Sequence, residues 1–221
     1  LVNKKILELK GRKKVAILVG GTGLYFKALT DGLVSIPSIP KRFREKIRSL
    51  HKKLGPNSFF SKLIKLDPLV KKRINPSDTQ RSIRAYEVKS FTKRSIYNWF
   101  KSTKSNYEEK DFYKIYIDFP RDHLLKRISL RTLEMIKKGA VLEAKKFIKL
   151  KIPKNKTSSK AIGVREINEY LTKKVEINEV IEKISIKTRQ YAKRQTTWAR
   201  GNMKNWKKMN LIQLKNFLKK I

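Results

Sequence analysis

The sequence predicts an α/β core that is interrupted by a helical insertion. An apolar run at residues 15–19 is typical of a buried strand, and "FYKIYIDFP" (residues 112–120) alternates like a second strand. Between them, residues 41–105 show helical spacing and many basic side chains. Because a strand pattern resumes after this block of helices, we assign residues 1–37 to the core, 38–111 to the insertion and 112–221 to the core again.

The remaining elements follow in order. A short helix precedes the first strand, and Pro37 and Pro40 in "VSIPSIP" mark the first boundary. "RDHLLKRISLRTLEMIKKG" predicts a helix that ends at Gly139, because glycine suits a left-handed cap. Further helices are predicted for "AVLEAKKFIKL", for "AIGVREINEYL" after Gly163, and for residues 178–200, which a glycine also follows.

The composition excludes several kinds of site. The 221 residues include no cysteine, which excludes disulfides and thiolate metal sites. The two histidines, His51 and His123, lie far apart and lack the spacing of a zinc motif, so we expect no zinc site, and we assign no residue of this chain as a metal ligand. No apolar run approaches the length of a membrane span, and no signal peptide is visible. We expect a cytoplasmic, monomeric protein with no membrane partner.

The formal net charge is +38, which favours a polyanionic partner. However, 41 of the 56 basic residues are lysine, a bias that an AT-rich genome produces on any solvated surface. Arginine is the scarcer choice and pairs with phosphate in ways that lysine cannot. Clusters of arginine therefore carry more information than the total charge.

The glycine-rich turn in "LVGGTGLYF" has two interpretations. It is either a tight structural turn, or a ligand-binding turn that aims backbone N–H groups at an anion or a base. The chain lacks the Gly-Lys-Ser/Thr ending of a Walker A motif. The turn also lacks the later glycine, near Phe26, that a dinucleotide fingerprint would require. The residues alone leave both interpretations open.

The segment "INPSDTQRSIRAYEV" predicts the start of a helix. Ser77 and Gln80 fit a capping box, which is a purely structural role for Gln80. Arg81 and Arg84 lie in the first turns, where cations oppose the helix dipole. We expect a group outside the helix, such as a phosphate, to compensate them.

The last long helix interleaves basic and aromatic side chains on one face: Lys187, Tyr191, Arg194 and Trp198. Such a face suits phosphates and stacked bases, or it packs into the core with its cations at the rim. We assign Ile184 and the two aromatic residues to the core. We assign Arg189 and Arg194 to the functional surface, which would contact phosphates and bases.

Two further basic segments allow two interpretations each. Arg127 and Arg131 lie one helical turn apart and form either a solvated face or a diphosphate clamp. Lys160 and Arg165 flank Gly163, where a flexible basic loop meets a helix start; this is either a plain connection or a site at which glycine lets the protein backbone approach RNA closely.

Four segments in this order closely resemble the bacterial tRNA dimethylallyltransferases, also called tRNA isopentenyltransferases. They are "LVGGTGLYFKALTDGL", "DTQRSIRAYEV", "AIGVREINEYL" and "TRQYAKRQTTWARG". The resemblance runs over essentially the whole chain, and the last segment is highly specific.

The resemblance implies transfer of a dimethylallyl group from dimethylallyl diphosphate to the exocyclic N6 of the adenosine just 3′ of the anticodon in tRNA. It also implies a P-loop, nucleotide-binding core, Mg²⁺ that assists the diphosphate, and an insertion that grips the tRNA anticodon stem-loop. A base must leave its stack before chemistry on it, and a diphosphate leaving group needs cations and N–H donors.

The resemblance also assigns roles to residues. Thr22 lies where the flipped adenine meets the donor, in a reaction channel with Gly20, Gly21, Gly23, Arg189 and Arg194. The implied tRNA contacts are Arg44, then Gln80, Arg81, Ser82, Ile83 and Arg84, and then Lys160, Ala161, Ile162, Gly163, Val164 and Arg165.

The family pattern begins with a strand, a Walker-like glycine loop and an acidic base, and the 221 residues contain none of these. We therefore expect the phosphate loop and most of the Mg²⁺ site in a preceding segment, and expect this chain alone to be inactive. One alternative is a non-catalytic RNA-binding module derived from such an enzyme. Another is a relative that prenylates free adenine nucleotides, although a mononucleotide does not need a long basic insertion.

Overall fold

The computed structural model describes residues 1–153 and 156–220, and it is mostly helical. Contacts divide the chain into two compact units, Leu1–Gly23 with Tyr113–Ile221 as the first and Leu24–Phe112 as the second. Residues 24–37, which the sequence assigned to the core, thus group with the helices of the second unit. The segment "KIPKNKTSSK" (residues 151–160) is predicted from its sequence to be a loop, and residues 154 and 155 within it lie outside the described residues, as does residue 221.

Helices and two short strands make up the described chain. In chain order they are α1 (Val2–Gly11), α2 (Gly23–Thr30), α3 (Lys41–Leu66), α4 (Thr79–Thr92), α5 (Ile96–Lys101), β1 (Ile115–Ile117), α6 (Arg121–Lys137), α7 (Ala140–Lys149), α8 (Val164–Leu171), α9 (Ile177–Asn202), β2 (Lys207–Met209) and α10 (Leu211–Leu218). Short 3-10 helices lie at Pro68–Val70, Glu109–Asp111 and Ser158–Lys160.

The second unit is built on the packing of α3 against α4. Leu63, Val70, Ala85 and Val88 are fully buried at its centre. Helix α3 is two helical halves, because Gly55 has φ 73° and ψ 169° and the next residue is a proline. Glycine tolerates this positive φ, and proline starts a helix readily because it needs no N–H partner there.

The first unit combines a small sheet with packed helices. Strands β1 and β2 are parallel, with Ile115 opposite Lys207 and Ile117 opposite Met209. A parallel pair requires a crossover, which α6 to α9 provide along the chain. The predicted α/β class and the second predicted strand are therefore confirmed, although the strand is shorter than its pattern.

The predicted buried strand at residues 15–19 is wrong. Within the described residues the sheet has only β1 and β2, and residues 15–19 belong to no helix or strand. Val15, Ile17 and Val19 are 67%, 66% and 87% exposed. A strand needs a neighbour for its backbone hydrogen bonds, and no described segment pairs with these residues.

The two glycines predicted at helix ends have different outcomes. Gly139 has φ 98° at the junction of α6 and α7, as its assignment to a left-handed cap requires. Gly201, predicted to follow the last long helix, lies inside α9, which continues to Asn202. Ile167, Val180 and Ile184 form the core between α8 and α9.

Each helix in the described part of the chain is too short or too polar to cross a lipid bilayer.

Two glycines with nearly equal positive φ, 95° at Gly32 and 98° at Gly139, test how contacts add to backbone strain. A Cβ at Gly32 would overlap the Lys104 backbone carbonyl, whereas one at Gly139 would meet nothing within 4 Å. We expect Gly139→Ala to lower the unfolding free energy by about 1–2 kcal/mol through strain alone, and Gly32→Ala to lower it further. Urea denaturation measures both, and equal losses would contradict this ranking.

Candidate functional site

The glycine turn packs directly on α9. Gln195 Nε2 donates a hydrogen bond of 2.9 Å to the Gly21 carbonyl. A Cβ at Gly21 would overlap the Gln195 amide, and a Cβ at Gly23 would overlap the Trp198 ring. A flexible amide can move aside, but an indole cannot do so cheaply, so the close approach of turn and helix depends most on Gly23.

Thr22 lies between these two contacts and is exposed. Its hydroxyl has no hydrogen-bond partner within residues 1–153 and 156–220. A threonine that caps a helix would accept a backbone N–H with this oxygen. The hydroxyl is therefore available to a ligand that enters beside α9.

The basic and aromatic face of α9 has a mixed outcome. Ile184 is buried as predicted, and Trp198 is partly buried against the glycine turn. Tyr191 was assigned to the core, but it is 44% exposed, and the Arg194 guanidinium lies 5.7 Å from the centre of its ring. An aromatic residue at core spacing can remain at the surface when a cation covers its face.

Glu166, on α8, connects residues 160–165 to α9. Its side chain is 3% exposed, and its carboxylate accepts hydrogen bonds from the Gly163 backbone N–H (2.8 Å) and from Lys187 Nζ. Burial raises the pKa of Glu166, but hydrogen bonds from Lys187 and from backbone N–H groups outweigh it and leave the pKa below its ordinary value. The carboxylate is therefore ionised at neutral pH. It connects the backbone at Gly163 to Lys187 on α9.

The segment at residues 160–165 presents a basic surface on this support. Lys160, Ala161, Ile162 and Arg165 are exposed, Val164 is partly buried, and Gly163 is buried with φ 105°. Arg165 Nε lies 3.3 Å from Glu169 Oε1 on the same helix. Hydrogen bonds from Lys183 and Arg165 hold the pKa of Glu169 below its ordinary value.

The start of α4 differs from its sequence interpretation. Asp78, not Ser77, caps the helix, because its carboxylate accepts the Arg81 N–H at 3.1 Å. Ser77 bonds to Asn75 instead. The capping box with Gln80 is therefore wrong, and Gln80 is exposed.

The two arginines of this segment are compensated within the protein. Arg81 pairs with Asp78 at 3.4 Å, and Arg84 pairs with Glu87 at 3.5 Å. Asp78, the N-cap residue just outside the helix, thus compensates Arg81, and no phosphate is needed to compensate either arginine; phosphate binding at them stays a prediction. Ile83 is partly buried and Ser82 is buried, so the Ser82 side chain does not face solvent.

Arg127 and Arg131 are both exposed on α6. The Arg127 guanidinium lies 5.3 Å from the centre of the Phe119 ring, just after β1. No acidic side chain of the described chain pairs with either arginine. Both cations are thus available to an anion.

Sequence reasoning missed three residues that organise these surfaces: Glu87, Glu166 and Gln195. Glu166 lies three residues after Gly163, a spacing at which a carboxylate reaches back to a helix start, so a signal was present. Gln195 contacts Gly21 across 174 residues, and no local pattern reports such a contact.

A family model described as IPP transferase matches residues 1–202. The chain belongs to this family. The family that the four sequence segments indicated is thereby confirmed.

Curated members of the family are similar over most of this chain. The tRNA dimethylallyltransferase of Pelagibacter ubique is 51% identical over 221 residues, which are all of this chain and 71% of that protein. The tRNA dimethylallyltransferase of Rickettsia massiliae is 40% identical over 206 residues, which are 93% of this chain and 57% of that protein. The chain spans only part of the length of these relatives.

Solved structures support the same fold class. The full-length tRNA isopentenylpyrophosphate transferase from Bacillus halodurans has a TM-score of 0.56 and 30% identity, with 95% of this chain and 64% of that one covered. A eukaryotic dimethylallyltransferase acting on tRNA has a TM-score of 0.73 and 24% identity, with 95% of this chain and 54% of that one covered. The second likeness concerns the fold alone.

The lowered pKa of Glu166 predicts a pH-dependent contribution to stability. The contribution is present above the ordinary pKa of 4.5 and is lost as the pH falls through the lower, folded-state pKa. We expect Glu166→Gln to be less stable than the wild type at neutral pH, with a difference that shrinks below about pH 4.5. Thermal unfolding across this range measures it. Glu143→Gln, which changes an exposed glutamate on α7, is the matched control, and a pH-independent difference would contradict the prediction.

Proposed function

We propose that this chain carries the reaction-channel and tRNA-binding parts of a tRNA dimethylallyltransferase. The reaction transfers a dimethylallyl group from dimethylallyl diphosphate to N6 of the adenosine 3′-adjacent to the anticodon. Family membership and the names of the relatives support this activity. The structural observation that carries it is the packing of the glycine turn on α9, which sets Thr22 against the helix of Arg189 and Arg194.

The proposed chemistry assigns each cation and donor a task. A bond forms between the adenine N6 and C1 of the dimethylallyl group, and the bond from C1 to a diphosphate oxygen breaks. The leaving diphosphate keeps the electron pair, and N6 releases a proton to a base that we do not place among the described residues. Arg127 and Arg131, which pair with no acidic side chain of the described chain, stabilise the negative charge that develops on the leaving group, and Arg189 and Arg194 line the channel.

Thr22 acts where these two reactants meet. Its hydroxyl oxygen can accept a hydrogen bond from the N6 amine, or the hydroxyl can donate one to the bridging diphosphate oxygen. Either contact orients the reacting atoms, and the lack of an intramolecular partner for this hydroxyl in the described chain supports such a role.

The proposal includes a P-loop NTPase-like core, Mg²⁺ at the diphosphate, and a cytoplasmic, monomeric enzyme. Within residues 1–153 and 156–220, no three His, Asp or Glu side chains converge to hold a metal ion. The described residues therefore do not form a complete metal site, and we assign no step of this chain to Mg²⁺.

Substitution of Thr22 separates catalysis from capping. Thr22→Val keeps the shape and removes the hydrogen bond, and we expect kcat in the full protein to fall on the order of 10²-fold, as for loss of one preorganised donor. Thr22→Ser keeps the hydroxyl and should retain most activity. Transfer of labelled dimethylallyl to unmodified tRNA measures both. Near-normal kcat with stability lowered by about 1 kcal/mol would show that Thr22 is only a cap.

Two arginines with similar local pairing test the RNA surface. Arg165 and Arg12 are each exposed and each paired with a glutamate one turn away. We expect Arg165→Ala to weaken binding of an anticodon stem-loop by roughly tenfold, the effect of losing one charged hydrogen bond, and Arg12→Ala to leave it nearly unchanged. The slope of log affinity against log salt should fall by about 0.7–0.9 for Arg165→Ala only. Equal effects of the two substitutions would mean that charge alone governs binding.

A further inference from the structure

Three arginines surround one buried carboxylate in the second unit. Glu87, on α4, is 1% exposed. Its Oε2 lies 3.5 Å from Arg44 Nε and 3.5 Å from Arg84 Nη1, and its Oε1 lies 3.8 Å from Arg48 Nε. Arg44 and Arg48 lie one turn apart on α3, so Glu87 connects the N-terminal half of α3 to α4.

Neutralising the carboxylate does not require all three cations. Burial of an ionised carboxylate is costly unless cations and hydrogen bonds compensate it. One well-placed guanidinium can do this with two parallel hydrogen bonds. Here the carboxylate is shared among three guanidinium groups at 3.5–3.8 Å, and the four side chains together carry a formal charge of +2.

The arginines of this cluster face solvent, although Glu87 does not. The side chains of Arg44, Arg48 and Arg84 are 44%, 60% and 42% exposed. Each guanidinium has five N–H donors in a planar fork that matches phosphate, and Glu87 occupies only a few of these donors. The outward-facing donors of all three groups are therefore held in one place and remain accessible.

The use of arginine here is selective. The chain contains 15 arginines among its 56 basic residues, and three of the 15 meet at this carboxylate. Lysine would provide the same charge but not the planar fork. The cluster therefore concentrates the less common basic residue of this chain around one carboxylate.

We propose that Glu87 is a positioning residue, which holds Arg44, Arg48 and Arg84 as one array that binds phosphates of a folded RNA. The inference rests on the proposed tRNA substrate and deepens it. It adds Arg48 to the RNA-binding surface and gives the only acidic member of the array a role in binding a polyanion.

If charge alone governs binding, Glu87→Gln should raise the affinity for RNA, and if Glu87 positions the arginines, the same substitution should lower it. This substitution keeps the side-chain size and raises the net charge by one, so simple electrostatics predicts tighter RNA binding. Positioning predicts weaker binding, on the order of tenfold, because freed arginines lose entropy when they contact phosphate. Glu45→Gln is the matched control, since Glu45 lies on α3, is 59% exposed and pairs with Lys41 rather than with the array.

The experiment measures affinity of the wild type and the variants for an unmodified anticodon stem-loop over a range of salt concentrations. For Glu87→Gln we expect a shallower slope of log affinity against log salt, by at least about 0.7, and for Glu45→Gln an unchanged slope. A purely structural role would lower the folded fraction and shift all affinities equally without changing the slope. Circular dichroism confirms the folded fraction of each variant.

Arg48→Lys provides a second test that does not disturb the buried position. It keeps the positive charge but removes the planar guanidinium, and we expect it to weaken RNA binding. In the double variant with Glu87→Gln we expect little further loss of affinity, because both substitutions disturb the same array. Tighter or unchanged binding by Glu87→Gln, or full additivity of the two substitutions, would overturn the inference while the proposed function stands. Failure of the wild type to bind the stem-loop would overturn both.

Discussion

In each unit of this chain a buried glutamate is paired with basic side chains. Glu166 holds Lys187 and the Gly163 backbone in the first unit, and Glu87 holds three arginines in the second. With a formal net charge of +38, the cations of this protein repel one another on average. The few buried carboxylates therefore decide where basic side chains can be concentrated and kept in a fixed orientation.

The glycine turn is held in a different way, because its glycines lack side chains and its backbone can therefore pack closely on α9. Gly21 and Gly23 bring the backbone onto Gln195 and Trp198. The turn is thus fixed by one hydrogen bond and one ring contact, and it leaves the Thr22 hydroxyl exposed. Together with Glu166, these contacts make α9 the common support of the turn and of residues 160–165.

The sequence predicted the helices well, because their signals are local. The periodicity that placed α6, α8 and α9 and the positive φ of Gly139 depend on neighbouring residues only. Apolar character at residues 15–19 indicated burial, but strand formation depends on a pairing partner, which a local pattern does not contain. The motifs identified the family, and they indicated Thr22 and the basic segments as candidates.

The sequence indicated where helices start and where basic residues cluster more reliably than which residues cap those helices or pair with those arginines. Ser77 and Asp78 are adjacent candidates for one cap, and propensity does not decide between them. Arg84 and Glu87 are three residues apart, so their pairing could have been read from the helix. The approach of Arg44 and Arg48 to the same carboxylate depends on the packing of α3 on α4, which no spacing reports.

The interruption of α3 at Gly55 has a consequence for how this segment can change in length. The half before it carries Arg44 and Arg48, and the half after it carries the buried Phe59 and Leu63. One residue corresponds to about 100° of rotation around a helix axis. An insertion or deletion within the first half would turn the arginines away from Glu87, whereas one at the joint leaves each half in register with its own contacts. Because of Gly55, the half of α3 that carries the arginines and the half that carries the buried apolar residues can each keep its own contacts when the length changes between them.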